Sequence, residues 1–552
     1  MSNSTENTSA RQRSNARPGP DDLELGKGGG LTSDREKSSA NSISDQGGLL
    51  SAANPKSAGM ESRRTRDVIA EQWEEGAEEI RKFWDLFMRK GKTKIGVVAS
   101  LKAFFLSSWL NIFLVCIPIA WVSHFKHWDS KATFVLSFFA IVPLERIFDF
   151  GGEQMAFYLG KDLGGLLMVT LNNAVEATLA ILLLKRCELV LLKSTIIGVV
   201  ILHLLLVPGM AFVTGGARII QQDLHPHLTQ LNHTLLTLGV LSLLLPAAFF
   251  AAINTTFDPA AVAAAAAAAT ATPAAAAAAA EGAAAGNVTS AASEIAASVV
   301  NDGTKHIFLQ MSRGLAILLL VVYVCSRIYL HDPPGEDDDL ASAPMAPEAF
   351  KDHAARLKEE DPEVNQFVAI VVIAIAIGLL AATAEWLVES IDFVREESNI
   401  QTEWFGLILL PIVSFAADGT VAAVYFIRHT LRHFFTEPAP PQTLAKGEAI
   451  DLSIQFTLFW MPFFVLVGWW TNKPLTLLFD LFEVACLIGA TFIVNYVTAD
   501  SKTNWAEGMA MVIFYVMIAL CSWFYSGQPE IAFLSQCESV AVALVSGGHL
   551  ED

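Results

Sequence analysis

Three polar side chains stand where an apolar membrane segment would carry none. Asn172, Asn173 and Glu176 lie in the run GGLLMVTLNNAVEATLAILLLKRCELVLLKSTIIGVVILHLLLVPGMAFVTGG, from Gly164 to Gly216. A carboxylate at mid-bilayer costs about 2.5–3.5 kcal/mol on insertion scales, a cost an apolar helix carries only for a compensating role. Asn173 and Glu176 are three positions apart, so a continuous helix presents them on one face. An amide and a carboxylate side by side supply oxygens for a hard cation or for a proton. The rival reading is a glutamate hydrogen-bonded between helices as packing glue. His203, inside the second apolar run, is a proton-relay candidate, set against a hydrogen-bonded core histidine.

A weaker copy lies downstream, where Phe405 to Gly419 reads FGLILLPIVSFAADG. Gly406 precedes Asp418 by the same interval as Gly164 precedes Glu176. Ala416 matches Ala174, and Phe415 stands where Asn173 does. One acid in each half of an apolar chain is the pattern of an internally repeated transporter with its site where the repeats meet. Small residues near an acid are also common in apolar helices, so the spacing alone leaves chance open.

These residues need membrane helices to hold them. Eleven apolar spans are expected, at about 104–122, 132–150, 163–184, 191–213, 234–253, 311–330, 365–386, 404–427, 451–470, 477–498 and 507–525, each near the roughly 20 residues that cross a bilayer. Arg81, Lys82, Arg89, Lys90, Lys92, Lys94 and Lys102 precede the first span and predict a cytosolic N-terminus by the positive-inside rule. Arg428, Arg432 and Lys446 then fall on the same side. The expected organisation is an N-terminal region 1–95, disordered to about residue 65 and then amphipathic; a first transmembrane part 96–330; an acidic cytosolic loop 331–364 with Glu336, Asp337, Asp338 and Asp339; a second transmembrane part 365–526; and a tail 527–552. The alanine-dominated stretch 254–305 is expected as a loop on the far side. It carries sequons at Asn254 and Asn287, and a twelfth span at 260–285 is the rival. Pro438, Pro440 and Pro441 predict a true loop after Arg428.

Composition agrees: 53% of residues are hydrophobic and only 17% charged, with mean hydropathy +0.43 over 552 residues. That balance points to a polytopic membrane protein. The net charge of −19 sits largely in tails and loops, so no nucleic-acid partner is implied. Cys116, Cys187, Cys325, Cys486, Cys521 and Cys537 are scattered without a CxxC pair, so neither a zinc site nor a disulfide framework is expected. No nucleophile elbow, P-loop or HExxH motif suggests a soluble enzyme.

Several motifs taken together resemble the calcium/proton exchanger (CAX) family of the cation/calcium exchanger superfamily, in its fungal form. Asn172-Asn173-Ala174-Val175-Glu176 is similar to its GNAVE signature. Ser123–Trp128 is similar to SHFxHW, residues 311–324 to its SRG-led apolar run, and Glu385–Asp392 to E-Y-L-V-[DE]-S-I-D. The block Phe479–Trp505, with FDLFEV and NYVTADSKTNW, is the most specific match. Departures concentrate in the second half. Ser414-Phe415-Ala416-Ala417-Asp418-Gly419 stands where the family has GNAAEH, and Asp451-Leu452-Ser453-Ile454-Gln455 where it has GSSIQ. Gly198–His203 stands where the family has GSILSN.

The resemblance implies an all-α polytopic fold: one extra helix plus two inverted five-helix repeats. It implies a secondary active antiporter, not an enzyme, moving Ca2+ into a vacuole or other endomembrane compartment in exchange for H+. Glu176 and Asp418 would hold the metal, with Asn173, Ser453 and Gln455 completing an oxygen shell. No cofactor is implied. The partners are Ca2+, H+ and the lipid bilayer, and homo-oligomerisation is left open. An exchanger for Na+, K+ or Mn2+ and a non-transporting regulatory paralogue remain alternatives.

Overall fold

In the computed structural model the described residues are 95–216, 221–253 apart from 225, 300–331, 361–398, 448–545, and parts of 81–88 and 400–427. The N-terminal tail, most of the alanine-rich and acidic loops, and the linker after Arg428 fall outside them.

Lipid offers the backbone no hydrogen-bond partner, so an apolar run must close its own bonds as helix. Helix α1 (Val97–Leu106) and α2 (Cys116–Phe125) flank a tight 3-10 stretch, Trp109–Val115, and the chain bends by 97° between Val97–Leu106 and Trp109–Phe125. The bend is held by Asn111, whose Nδ2 donates to the Phe104 carbonyl at 2.8 Å. Helix α3 (Ser130–Asn172) starts at Asp129, whose side chain accepts from Lys131 N, and it contains Pro143 and a kink at Gly160 (φ 80°). Here the structure departs from the expected spans. Helical backbone runs on past 150, and the connection placed between 150 and 163 narrows to the non-helical Gly160 (φ 80°, ψ −179°), which parts two helices there. A second break, not expected, falls inside the span 163–184, at Asn173, where α4 (Ala174–Arg186) leaves at 55° to Leu163–Asn172.

Helix α5 (Leu189–Ile201), a π turn (Leu202–Leu206) and α6 (Val207–Gly216) form one span at the centre of the molecule, with 78% of its apolar window buried. Then come α7 (Pro226–Ile253), α8 (Asp302–His331) and α9 (Gln366–Ser398). A short α10 (Thr402–Trp404) runs into a second π turn, Phe405–Leu409. Helix α11 (Glu448–Gln455), a third π turn (Phe456–Trp460) and α12 (Met461–Trp470) make the next span. Helices α13 (Leu481–Val497) and α14 (Trp505–Ser522) follow, and two short helices, α15 (Pro529–Leu534) and α16 (Val540–Val545), close the chain. One antiparallel pair of two-residue strands, β1 (Gln222–Asp223) and β2 (Lys502–Thr503), ties the connection after α6 to the one before α14.

Among the described residues, six helices are long and apolar enough to cross a membrane, or up to eight if each sharply bent pair is one span; Thr402–Val413 and Leu481–Val497 are shorter apolar helices. The protein is therefore an all-α polytopic membrane protein. Helices α8, α9 and α14 bury only 28% of their apolar windows and turn Leu318, Ile375 and Leu520 outward, as lipid-facing helices do.

The family-like motifs prove to be joints. His124 stacks on Trp386 with ring centroids 4.9 Å apart, and Lys185 and Arg186 at the end of α4 meet Glu385 (3.3 Å) and Glu389 (3.8 Å) on α9. Asn504 caps α14 through a capping box with Glu507, and Asn495 Nδ2 reaches Thr237 Oγ1 at 3.0 Å. One expectation is overturned. Cys187, in the left-handed cap of α4, is disulfide-bonded to Cys537, 350 residues away, with Cα atoms 6.3 Å apart. Spacing along the chain carries no sign of a pair that far apart. Both cysteines lie on connections between helices rather than within spans.

Candidate functional site

The break after α3 is the local feature that makes the site. Asn173 has φ −106° and ψ 13°, which ends one helix and starts the next. It therefore does not sit with Glu176 on one face of a continuous helix. It occupies the N-cap position of α4, and Glu176 lies in that helix's first turn. The result suits anion or carboxylate chemistry, because free N–H groups and the helix dipole favour negative charge there. Both side chains are buried: Asn173 is 0% and Glu176 4% exposed.

Asn173 Nδ2 donates to Gln455 Oε1 at 2.5 Å and to the Val169 carbonyl at 3.2 Å. The first bond crosses 282 residues and joins the two expected halves at their motifs. Asn173 Oδ1 accepts no hydrogen bond among the described residues, so a buried oxygen is left available beside the Glu176 turn. Gln455 ends α11 at the third π turn, where an extra residue per turn swings backbone groups out of register. Ser453, fully buried, faces the Val200 carbonyl on α5 at 3.5 Å. His203 is buried in the first π turn, between α5 and α6. Asp418 lies outside the described residues.

The second-half departures have physical partners. Asp451, in place of a glycine, takes two hydrogen bonds from Arg327 on α8, at 2.7 and 3.2 Å. The Arg327 guanidinium also lies over the Tyr323 ring, 4.9 Å from its centroid. A methyl added at Gly419 would lie 2.7 Å from the Phe415 ring, so the ring already fills the space that a side chain at 419 would take.

Four charged residues escaped the sequence reading. Lys193 on α5, Glu403 on α10, and Asp480 and Glu483 at the start of α13 are all buried. Lys193 Nζ donates to Ser535 Oγ (2.8 Å), Thr476 Oγ1 (3.0 Å) and the Leu478 carbonyl (3.0 Å). Ser194 Oγ donates to Glu403 Oε2. Asp480 accepts from Phe482 N (2.8 Å), Tyr525 OH (2.8 Å) and Gln528 N (2.9 Å). The signal was present as a lysine inside an apolar run and as two acids within the FDLFEV block.

A buried amide–carboxylate centre inside a polytopic helical protein, with unwound turns at its edges, defines an ion-transporting membrane protein. Residues 368–524 match the sodium/calcium exchanger protein family. The chain is 30% identical over 518 residues to the vacuolar calcium ion transporter of Cryptococcus neoformans var. grubii, covering 80% of this chain and 78% of that one. It is 28% identical over 475 residues to the vacuolar calcium ion transporter of Schizosaccharomyces pombe, covering 84% and 97%. Its fold is similar to that of the Ca2+/H+ antiporter protein YfkE, with a TM-score of 0.51 at 19% identity over 77% of this chain and all of that one. The chain belongs to the calcium/proton exchanger (CAX) branch of the cation/calcium exchanger superfamily.

Proposed function

We propose that this protein is a secondary active cation/proton antiporter that moves Ca2+ into a vacuole or related endomembrane compartment against H+. The observation that carries the reading is the buried Asn173–Gln455 bond, which brings oxygen-bearing side chains from both halves to the first turn of α4 with Glu176. Glu176 and Asp418 are the proposed metal-binding carboxylates, with Asn173, Ser453 and Gln455 as neutral oxygen ligands and His203 as a proton relay. Ca2+ takes six to eight oxygens in flexible geometry, which such a mixed set of side chains and unwound backbone carbonyls can provide. Protons would compete with the cation for the same carboxylates, because either one neutralises a buried negative charge.

We further propose eleven spans: one extra helix and two inverted five-helix repeats meeting at this site. Support comes from the π turns Leu202–Leu206 and Phe456–Trp460, which fall in the third helix of each proposed repeat. In this topology the Cys187–Cys537 bridge lies on the far side of the membrane from the cytosol, where disulfides persist. The deciding experiment is cation uptake by the purified full chain in proteoliposomes with an imposed pH gradient. Proton-driven Ca2+ uptake supports the proposal. Uptake of Na+, K+ or Mn2+ alone moves the assignment to another cation, and no uptake of any of them overturns antiport.

A further inference from the structure

We propose that Glu403 and Glu483 bind a single proton between them, forming a proton site distinct from the Asn173–Glu176 centre. The two buried carboxyl groups are close neighbours beside Ser194, whose hydroxyl donates to Glu403 Oε2. A carboxylate only accepts, so two of them can bond to each other only when one carries a proton. Ser194 has one hydroxyl hydrogen, and Glu403 Oε2 takes it. Glu483 Oε1, on a side chain only 2% exposed, accepts from no donor among the described residues. A proton held between the carboxyls supplies the missing donor.

The surroundings are built around such a site. On α5, Lys193 attracts both glutamates but has given its three N–H groups to Thr476, Leu478 and Ser535. Asp480, the N-cap of α13, adds negative charge beside the pair, yet its own oxygens are already partnered by Phe482, Tyr525 and Gln528. Cys486 lies one turn along α13, and Cys521 faces Cys486 from α14. Lys305 on α8 faces Lys193 from farther out and is held by the carbonyls of Gln536 (2.5 Å) and Glu538 (2.7 Å). Three carboxyl groups therefore meet one close ammonium, and sharing one proton removes the surplus repulsion. The chain after α14 covers the pair. Gly527 has φ +82°, and a methyl there would lie 2.5 Å from Glu403 Oε1, so this backbone closes directly on the carboxyl. Along α5, Ser194 is six residues from Val200, whose carbonyl faces Ser453. At 1.5 Å per residue that is about 9 Å, close enough for the pair to exchange protons with the cation centre through a short relay.

The test has two arms. Infrared spectra of the purified full chain should contain the carbonyl stretch of a buried protonated carboxylic acid. Glu403→Gln and Glu483→Gln should each remove the same band, because the proton belongs to the pair. Ser194→Ala, which keeps both acids, should displace the band. Absence of the band in the natural chain overturns the proposal, as does its persistence in either glutamine variant. Loss of the band on adding Na+ or Ca2+ overturns it too, since the pair would then be a cation site. The second arm rests on the antiport reading: in proteoliposomes, Glu483→Gln should shift the pH dependence of Ca2+ uptake, and an unshifted profile overturns the relay role. A band without any uptake in the natural chain would sink antiport and leave the proton site standing. Uptake without the band would do the reverse.

Discussion

Gly198 is where α5 meets the Phe405–Leu409 turn backbone to backbone. A methyl at 198 would run into the Leu407 carbonyl oxygen and lie 2.7 Å from Pro411 Cγ, where 3.4 Å begins ordinary contact. Neither obstacle is the free end of a flexible side chain. Gly198→Ala must therefore part the two segments by about 0.7 Å, the difference between 2.7 and 3.4 Å. Overpacking of a dense interior costs about 1–3 kcal/mol, and the upper end applies where backbone has to move. Alanine returns about 1 kcal/mol in helix propensity, which leaves a net loss of about 2 kcal/mol. Val200, two residues on, faces Ser453, and a misplacement of about 1 Å at a working site costs on the order of 100-fold in rate. The measurements are the thermal midpoint of the purified chain and Ca2+ uptake in proteoliposomes. Gly378→Ala on α9 is the control, because its methyl would meet nothing within 4 Å. It should keep both stability and uptake. If the two alanine variants behave alike, the close crossing of α5 and the Phe405 turn is not what sets the site.

Glu176→Gln should abolish uptake and leave the thermal midpoint unchanged, since the amide fills the same space but neither binds a cation by charge nor exchanges a proton; unchanged uptake would remove Glu176 from the site. Arg327→Gln should destabilise by about 1 kcal/mol, the upper end for a partly exposed ion pair, and Asp451→Gly added to it should recover most of that loss. A double-mutant cycle in thermal unfolding checks the coupling, and strict additivity would mean that the pair does not couple. Gly419→His alone should disrupt the second motif, because its Cβ meets the Phe415 ring, whereas Phe415→Asn with Gly419→His should fold normally. Expression level and thermal midpoint of the two variants read the difference, and equal behaviour would refute the steric account.

Hydropathy revealed the helices because lipid leaves an apolar run no alternative to helix. Each of the eleven expected segments is helical in whole or in part among the described residues. What periodicity could not reveal was where those helices are interrupted. Asn173 breaks the chain inside one apolar run, and three π turns interrupt others, because both depend on contacts with distant segments rather than on local composition. Glu176 and Asn173 stood out since polar groups are costly in apolar surroundings. Glu403, Asp480 and Glu483 did not, because acids near the ends of apolar runs read as turn residues until the fold buries them together. The Arg327–Asp451 pair spans 124 residues and the Cys187–Cys537 bridge spans 350, so neither could be read from neighbours in sequence.

The altered second motif is better understood from these partners than from the motif itself. An aspartate at 451 with no counter-charge would leave a partly buried anion exposed to desolvation, and Arg327 offsets it from α8. A phenylalanine at 415 beside a histidine at 419 would clash, and glycine at 419 removes the clash. Added charge is matched by charge, and added bulk by lost bulk, so the packing of this half is kept while its ligand set changes. Phe415 offers a cation no oxygen. In the proposed site the buried amides are then those of Asn173 and Gln455: Gln455 Oε1 already accepts from Asn173 Nδ2, and Asn173 Oδ1 accepts from no donor among the described residues. On the proposed function, the neutral ligands of this half would lie on α11 rather than in the second motif. On the same proposal, the Asn173–Gln455 bond would tie the two halves together beside Glu176.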